Sequence, residues 1–170
     1  MSRRSVGTLS FSAAALVALF VFEAYTSTAT IPTKGDVPTV GFGSTINPDG
    51  SKVQMGDTTD PVTAAVNALS HIQKDEALFK KSLPGVELNQ AEYDIYIDWV
   101  YQYGIANWYE STIRKRLLDG DHAGACDALL MWRYAGGYDC STKINGKPNR
   151  VCWGVWARQL ERHRKCRAAQ

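Results

Sequence analysis

Thr39-Val40-Gly41-Phe42-Gly43, preceded by Val37-Pro38, alternates small or polar with apolar side chains and ends between two glycines. Alternation with period two followed by glycine is the pattern of a short strand entering a tight turn. Pro48-Asp49-Gly50 is a second turn signal, and Ser51-Lys52-Val53 follows it. Thr30 to Ser51 is therefore expected to form small antiparallel strands.

Downstream of this region the pattern changes to helix. Asp60 is an N-cap with Pro61 at the first helical position, and Val62, Val66, Leu69 and Ile72 space like a buried face. That helix is expected to run to about Lys81, where Leu83-Pro84-Gly85 ends it. Asn89-x-x-Glu92 is a capping-box pattern, and the helix behind it carries Tyr93, Ile97, Val100 and Tyr101 on one side. Ser111 caps a further helix that stops at Gly120. Ala123 to Trp132 is short and helical, closed by Gly136-Gly137, and a loop with Asn145-Gly146 follows. A last helix, about Trp153 to Lys165, shows Trp153, Trp156 and Leu160 on one stripe. The class is α+β with helices dominant: a small β lobe, a larger helical lobe, and an apolar N-terminal segment before both.

The chain has 170 residues, enough for one domain or a small two-lobed one with a real core. Hydrophobic residues make up 45% and charged residues 21%, which argues against bulk disorder. A net charge of +2 is too mild for a nucleic-acid binder. No fixed-period repeat suggests a solenoid.

Arg3 and Arg4 precede an apolar run from Leu9 to Phe22. As a helix this run reaches about 21 Å, short of the roughly 30 Å hydrocarbon core. The arginines would stay cytoplasmic and place the remainder outside. Ser27 and Ala29 also form a small-x-small pattern, so a cleaved secretory signal, a permanent anchor and a weak anchor that leaves the membrane all fit. An ordinary core helix is the bland alternative. Every targeting reading exports the domain to an oxidising compartment, where Cys126, Cys140, Cys152 and Cys166 can pair. Cys140 with Cys152, flanking the Asn145-Gly146 loop, would leave Cys126 with Cys166. Four cysteines allow three pairings, and sequence alone does not choose between them.

Two carboxylates stand out. Glu23 lies just beyond the apolar run, beside Phe20, Phe22 and Tyr25, a setting suited to a general acid; the plainer reading is that it marks the end of the membrane segment. Asp36, in Gly35-Asp36-Val37-Pro38-Thr39, is placed to activate water, or is simply a turn residue. Gly41-Phe42-Gly43-Ser44-Thr45 lacks the lysine and the helix of a phosphate loop. His71, His122 and His163 have no ligand spacing and the cysteines no C-x-x-C, so no metal is expected, and no organic cofactor is needed where two carboxyl groups suffice for the chemistry. The basic residues Arg114-Lys115-Arg116 and Arg158, Arg162, Arg164, Lys165 and Arg167 read as solvated helix faces, with attraction of an anionic polymer or lipid surface as the alternative. The five tryptophans read as core, with one or two lining a groove.

In this order the residues resemble the phage-type lysozymes, the endolysins of tailed phages. The likeness begins at Glu23 and Val37-Pro38-Thr39-Val40-Gly41-Phe42-Gly43 and continues through Tyr101-Gln102-Tyr103-Gly104 and Ser111-Thr112-Ile113. It goes on through Leu117-Leu118-Asp119-Gly120-Asp121 and Trp132-Arg133-Tyr134-Ala135-Gly136-Gly137. It closes at Gly154-Val155-Trp156-Ala157-Arg158-Gln159-Leu160-Glu161. The N-terminal segment resembles the signal-anchor-release element of one branch. The resemblance implies a lysozyme-like fold, a glycan cleft between the lobes, and a Glu, Asp and Thr site. Glu23 matches the glutamate and Thr39 the threonine.

The family aspartate, six residues before the threonine, falls on Thr33 beside Pro32, and Glu23 to Thr39 is one residue longer than usual. Asp36 is the nearest carboxylate. Gln102 stands where many relatives have Asn, and Arg158-Gln159 keeps one arginine of a usual pair.

The resulting expectation is an anchor over 1–22 and a catalytic domain over 23–170. Glu23, Asp36 and Thr39 would hydrolyse the β-1,4 bond between N-acetylmuramic acid and N-acetylglucosamine in peptidoglycan. The enzyme would be a monomer, tethered to the host inner membrane facing the periplasm and then released. The alternatives are a lytic transglycosylase, which uses a single glutamate, and a non-catalytic, membrane-tethered wall-binding protein.

Overall fold

The computed structural model describes residues 2–32, 35, 37–144 and 146–170; Asp36, the candidate second carboxylate, lies outside them. The chain divides into two units, Phe11–Ala77 and a helical unit built from Met1–Ser10 with Leu78–Gln170. Strand β1 (Arg4–Ser5) belongs to the second.

In the first unit the apolar run becomes helix α1 (Ala13–Glu23), capped by Ser12, whose side chain accepts from the Ala15 N–H at 3.1 Å. Only Leu19 of α1 is buried, and Val17, Val21 and Phe22 are exposed. Strands β2 (Thr26–Thr30) and β3 (Thr39–Gly41) pair antiparallel, with Thr26 opposite Gly41 and Thr30 opposite Thr39. Ala29, Val40 and Val53 bury together beneath them. The turn at Pro48-Asp49-Gly50 forms as expected: the Gly50 N–H donates to Asn47 O at 2.9 Å, and Gly50 has φ 88°.

Helix α2 (Pro61–Lys81) has the expected bounds, and Asp60 accepts from the N–H groups of Val62 and Thr63. Its buried face is the expected one only at Ile72. Val62, Val66 and Leu69 are exposed, and Ala64 and Ala68 are buried instead. The reason is close approach: a Cβ on Gly41 would lie 2.7 Å from the Ala64 Cβ, so β3 leaves room only for small residues.

In the helical unit β1 pairs with β4 (Glu87–Leu88), Arg4 opposite Leu88. Helix α3 (Gln90–Tyr103) opens on the expected capping box: Asn89 accepts from the Glu92 N–H, and Glu92 accepts from the Asn89 N–H. Tyr93, Ile97 and Val100 are buried as expected, joined by Ile95, Tyr96 and Trp99. Helices α4 (Ile105–Glu110), α5 (Thr112–Leu118) and α6 (His122–Ala128) follow. Ser111 caps α5 by accepting from the Arg114 N–H. Hairpins β5–β6 (Tyr134–Ala135, Tyr138–Asp139) and β7–β8 (Lys143–Ile144, Lys147–Pro148) precede α7 (Trp153–Ala168). Trp99 and Trp108 are core; the Trp108 ring N–H donates to Ser82 Oγ at 2.8 Å. Trp132, Trp153 and Trp156 are half-buried. The result is helix-dominated α+β.

Two further readings of α7 are corrected. Leu160 is exposed, and the buried residues are Arg158, Gln159, Arg162 and Cys166. Arg158 and Arg162 are not solvated because both bind Asp98 of α3, at 2.6 and 2.7 Å. Arg162 also donates to Gln102 Oε1 at 2.7 Å, which gives the glutamine at that position a partner. The disulfides are Cys126–Cys166, which joins α6 to α7, and Cys140–Cys152, which closes the hairpin region.

Burial by itself would push the Asp98 carboxyl up, but the Arg162 and Arg158 guanidiniums outweigh it and hold the group below its ordinary value near 3.8. A depressed folded value means this stabilisation is fully present above the unfolded value and is lost as pH falls through the folded one. Asp98→Asn should therefore cost about 3–5 kcal/mol at pH 7, because it strands two buried guanidiniums. It should also flatten the loss of stability below about pH 4. Urea unfolding from pH 7 to pH 3 checks both.

Candidate active site

Glu23 is the last residue of α1, and its position is set by the residue after it. Ala24 takes φ 57°, ψ 162°, a region that only glycine enters without strain. Among the described residues it is the sole non-glycine with positive φ. This turn ends the helix and feeds the chain into β2. Tyr25 locks the corner, with its hydroxyl donating to Thr59 O at 2.6 Å and its ring packed on Phe42. Phe20 stacks on the same Phe42, ring centroids 4.2 Å apart. The aromatics beside Glu23 therefore clamp the end of α1 onto the glycine turn.

The β2–β3 register then decides what Glu23 faces. Thr26 lies opposite Gly41, so the residues before β2 run alongside the residues after β3. Val40 and Ser44 exchange both backbone hydrogen bonds at 3.0 Å, folding Gly41-Phe42-Gly43 into a tight turn. A Cβ on Gly43 would lie 3.4 Å from Glu23 Oε2, so the carboxyl lies over Gly43, which has φ 81°. Glu23 is half-buried, and Gly43 is exposed. The arrangement is a carboxyl on a rigid corner, open on one side to an incoming molecule.

Thr39 stands at the far end of the hairpin, opposite Thr30, with its hydroxyl 3.5 Å from Thr30 O. It is half-buried and shares β3 with Gly41. Glu23 thus ends the helix that leads into the hairpin, and Thr39 begins the strand that leads to the glycine turn under its carboxyl. Gly43 is a residue of this corner that the sequence does not mark as such. Its signal was the second glycine of the turn, which reads there as turn chemistry and here also leaves room for a side chain. Among the described residues no group of three or more His, Cys, Asp or Glu lies together to hold a metal.

Residues 21–150 match the phage lysozyme family. The chain is 30% identical over 104 residues to the endolysin of Salmonella phage P22, covering 59% of this chain and 68% of that protein. It is 46% identical over 39 residues to the SAR-endolysin of Enterobacteria phage PA-2, covering 23% of this chain and 24% of that one. The structure of the endolysin from Escherichia coli O157:H7 phage FAHEc1 superimposes with a TM-score of 0.74 at 26% identity, over 94% of each chain. With its hairpin, its glycine turn and helices α2 to α6 all inside residues 21–150, the chain belongs to the phage lysozyme family and is a lysozyme-type hydrolase.

Proposed function

We propose that the enzyme cleaves the β-1,4 bond between N-acetylmuramic acid and N-acetylglucosamine in peptidoglycan, with Glu23 as the general acid. The observation that carries this reading is the Glu23 carboxyl over Gly43, half-exposed on a fixed corner. A group so placed can hand its proton to a glycosidic oxygen without reorganising the backbone. Thr39, and Asp36 from the segment before it, are proposed to orient the attacking water on the other face of the sugar. Inversion through water needs roughly 6.5–9.5 Å between two carboxyl groups, and a covalent route about 5–5.5 Å. A lytic transglycosylase needs only the glutamate, and the absence of an acid at Thr33 favours that second reading.

The segment 1–22 is proposed as an anchor that leaves the membrane, with 23–170 as a monomeric catalytic domain released into the periplasm. No helix among the described residues is long and apolar enough to cross a membrane. What supports the proposal is the composition of α1, apolar around its whole circumference with Val17, Val21 and Phe22 exposed. An apolar surface on all sides suits a bilayer better than water. The SAR-endolysin relative supports it as well. Each of Arg3 and Arg4 costs about 2.3 kcal/mol per 100 mV to move against the membrane potential, so the potential holds the segment in.

Purified full-length protein is expected to release reducing sugars from outer-membrane-stripped walls, and Glu23→Gln to lower the rate at least 10²-fold with the far-UV spectrum unchanged. A folded Glu23→Gln protein with normal activity overturns the acid assignment, and an anhydro-sugar product moves the reaction to the transglycosylase. Asp36→Asn separates a catalytic from a turn role, with a loss of about tenfold or more expected for the former.

Leucines at Ser10, Ser12 and Ala14 should deepen insertion, since each replaces a poor membrane residue by a good one. The expected result is delayed lysis and more protein in the membrane fraction. Unchanged timing and fractionation overturn the anchor.

A further inference from the structure

Glu92 has no exposed side-chain surface, yet it is charged. Burial opposes the charge, and the Arg3 guanidinium, the Asn89 N–H and the Gln170 amide outweigh burial, holding the carboxyl below its ordinary range. The geometry is a complete receptor. The Asn89 N–H donates to Oε2 at 2.9 Å and the Gln170 Nε2 to Oε1 at 2.9 Å. Arg3 closes it as a fork, Nε to Oε2 at 3.1 Å and Nη2 to Oε1 at 2.9 Å, while Nη2 also reaches Gln170 Oε1 at 2.8 Å. His122 Nδ1 stands 3.4 Å from Oε1 without hydrogen-bond geometry.

All of these groups except Arg3 come from the region between α3 and the end of α7. The Asn89 amide donates to Ala169 O at 3.0 Å, and Gln170 Nε2 also donates to Cys166 O and Cys126 Sγ. The pocket is therefore framed by α3, α7 and the Cys126–Cys166 bond, and its occupant comes from 89 positions away. Behind Arg3 the chain is seated residue by residue. The Val6 N–H donates to Val86 O at 3.1 Å, Val6 and Leu9 are buried, and Gln90 donates to Ser10 O at 2.9 Å.

Arg3 precedes the apolar run and Glu92 follows it. While the run spans a bilayer the two lie on opposite sides, so they can pair only in a chain whose run has left. We propose that the Glu92 pocket is a receptor for the chain's own N-terminal guanidinium, and that Arg3 entering it locks the released enzyme against return to the membrane. This rests on the anchor reading above. A bidentate, charge-assisted pair in a buried site is the strong form of this contact, and a lysine, with a point charge, does not reproduce the fork.

Arg3→Lys keeps the charge that orients the segment in the membrane and removes only the fork; Glu92→Gln leaves the segment untouched. Two measurements are made on the full chain: hydrogen exchange at the Val6 amide of the purified soluble protein, and the soluble-to-membrane ratio in cells after the potential is collapsed. Exchange should be about 10- to 100-fold faster in each variant, and no faster in the double variant than in either single one. The soluble-to-membrane ratio should fall by about tenfold. Should Glu92→Gln fail to fold, Arg3→Lys alone decides. Unchanged exchange with an unchanged ratio overturns the receptor while leaving the anchor reading standing. Wild-type protein that never enters the membrane fraction removes both the anchor and the lock.

Discussion

A carboxylate with no contact with water has to be satisfied from all sides, and Glu92 imposes that condition on the helical unit. Its demand fixes the first turn of α3, the end of α7 and the strap over residues 3–10 at the same point. Six residues further along α3, Asp98 repeats the device with Arg158 and Arg162. Leaving either acid unpartnered costs about 3–5 kcal/mol, a large share of the stability of a domain this size. These contacts give α7 one register against α3, because a shift by one residue would unpair both guanidiniums. The aromatic core of Tyr93, Tyr96, Trp99 and Trp108 then packs around a helix whose rotation is already set.

What the sequence disclosed was chemistry between near neighbours. Asp60-Pro61, Asn89-x-x-Glu92 and Ser111 each state a helix start within four residues, and each is used as such. What it concealed was decided by distant partners. Val62, Val66 and Leu69 have the spacing of a buried face, but the position of Gly41 selects the alanine side of α2. Arg158 and Arg162 look like surface charges until Asp98, some 60 residues earlier, is brought to them. For the candidate site, the order of motifs along the chain points to Glu23 and Thr39. The position of Gly43 under the Glu23 carboxyl is not legible in the same way, because it depends on the β2–β3 register, which no single residue announces.

The two glycines of the turn serve different ends. Gly41 is small so that a strand can lie on a helix; Gly43 is small so that a carboxyl can lie on a turn. Between them Phe42 takes the stacking that fixes α1. Ala24, by contrast, sits where a glycine would be easier, at a cost of about 1–3 kcal/mol. That cost is borne by the Tyr25 and Phe42 clamp on either side of the corner. Glu23 is held by packing rather than by a relaxed backbone.

The two disulfides are nested: the 12-residue separation of Cys140 and Cys152 lies inside the 40-residue separation of Cys126 and Cys166. In an unfolded chain the chance of end-to-end encounter falls as the three-halves power of loop length, so the inner pair meets roughly sixfold more often. Once it closes, Cys126 and Cys166 have only each other. Cys126 and Cys140, and likewise Cys152 and Cys166, are as close in the chain as the inner pair to within two residues, so encounter statistics favour Cys140–Cys152 over either by only about 1.3-fold, and the seating of α6 against α7 rather than loop length selects the native pairing.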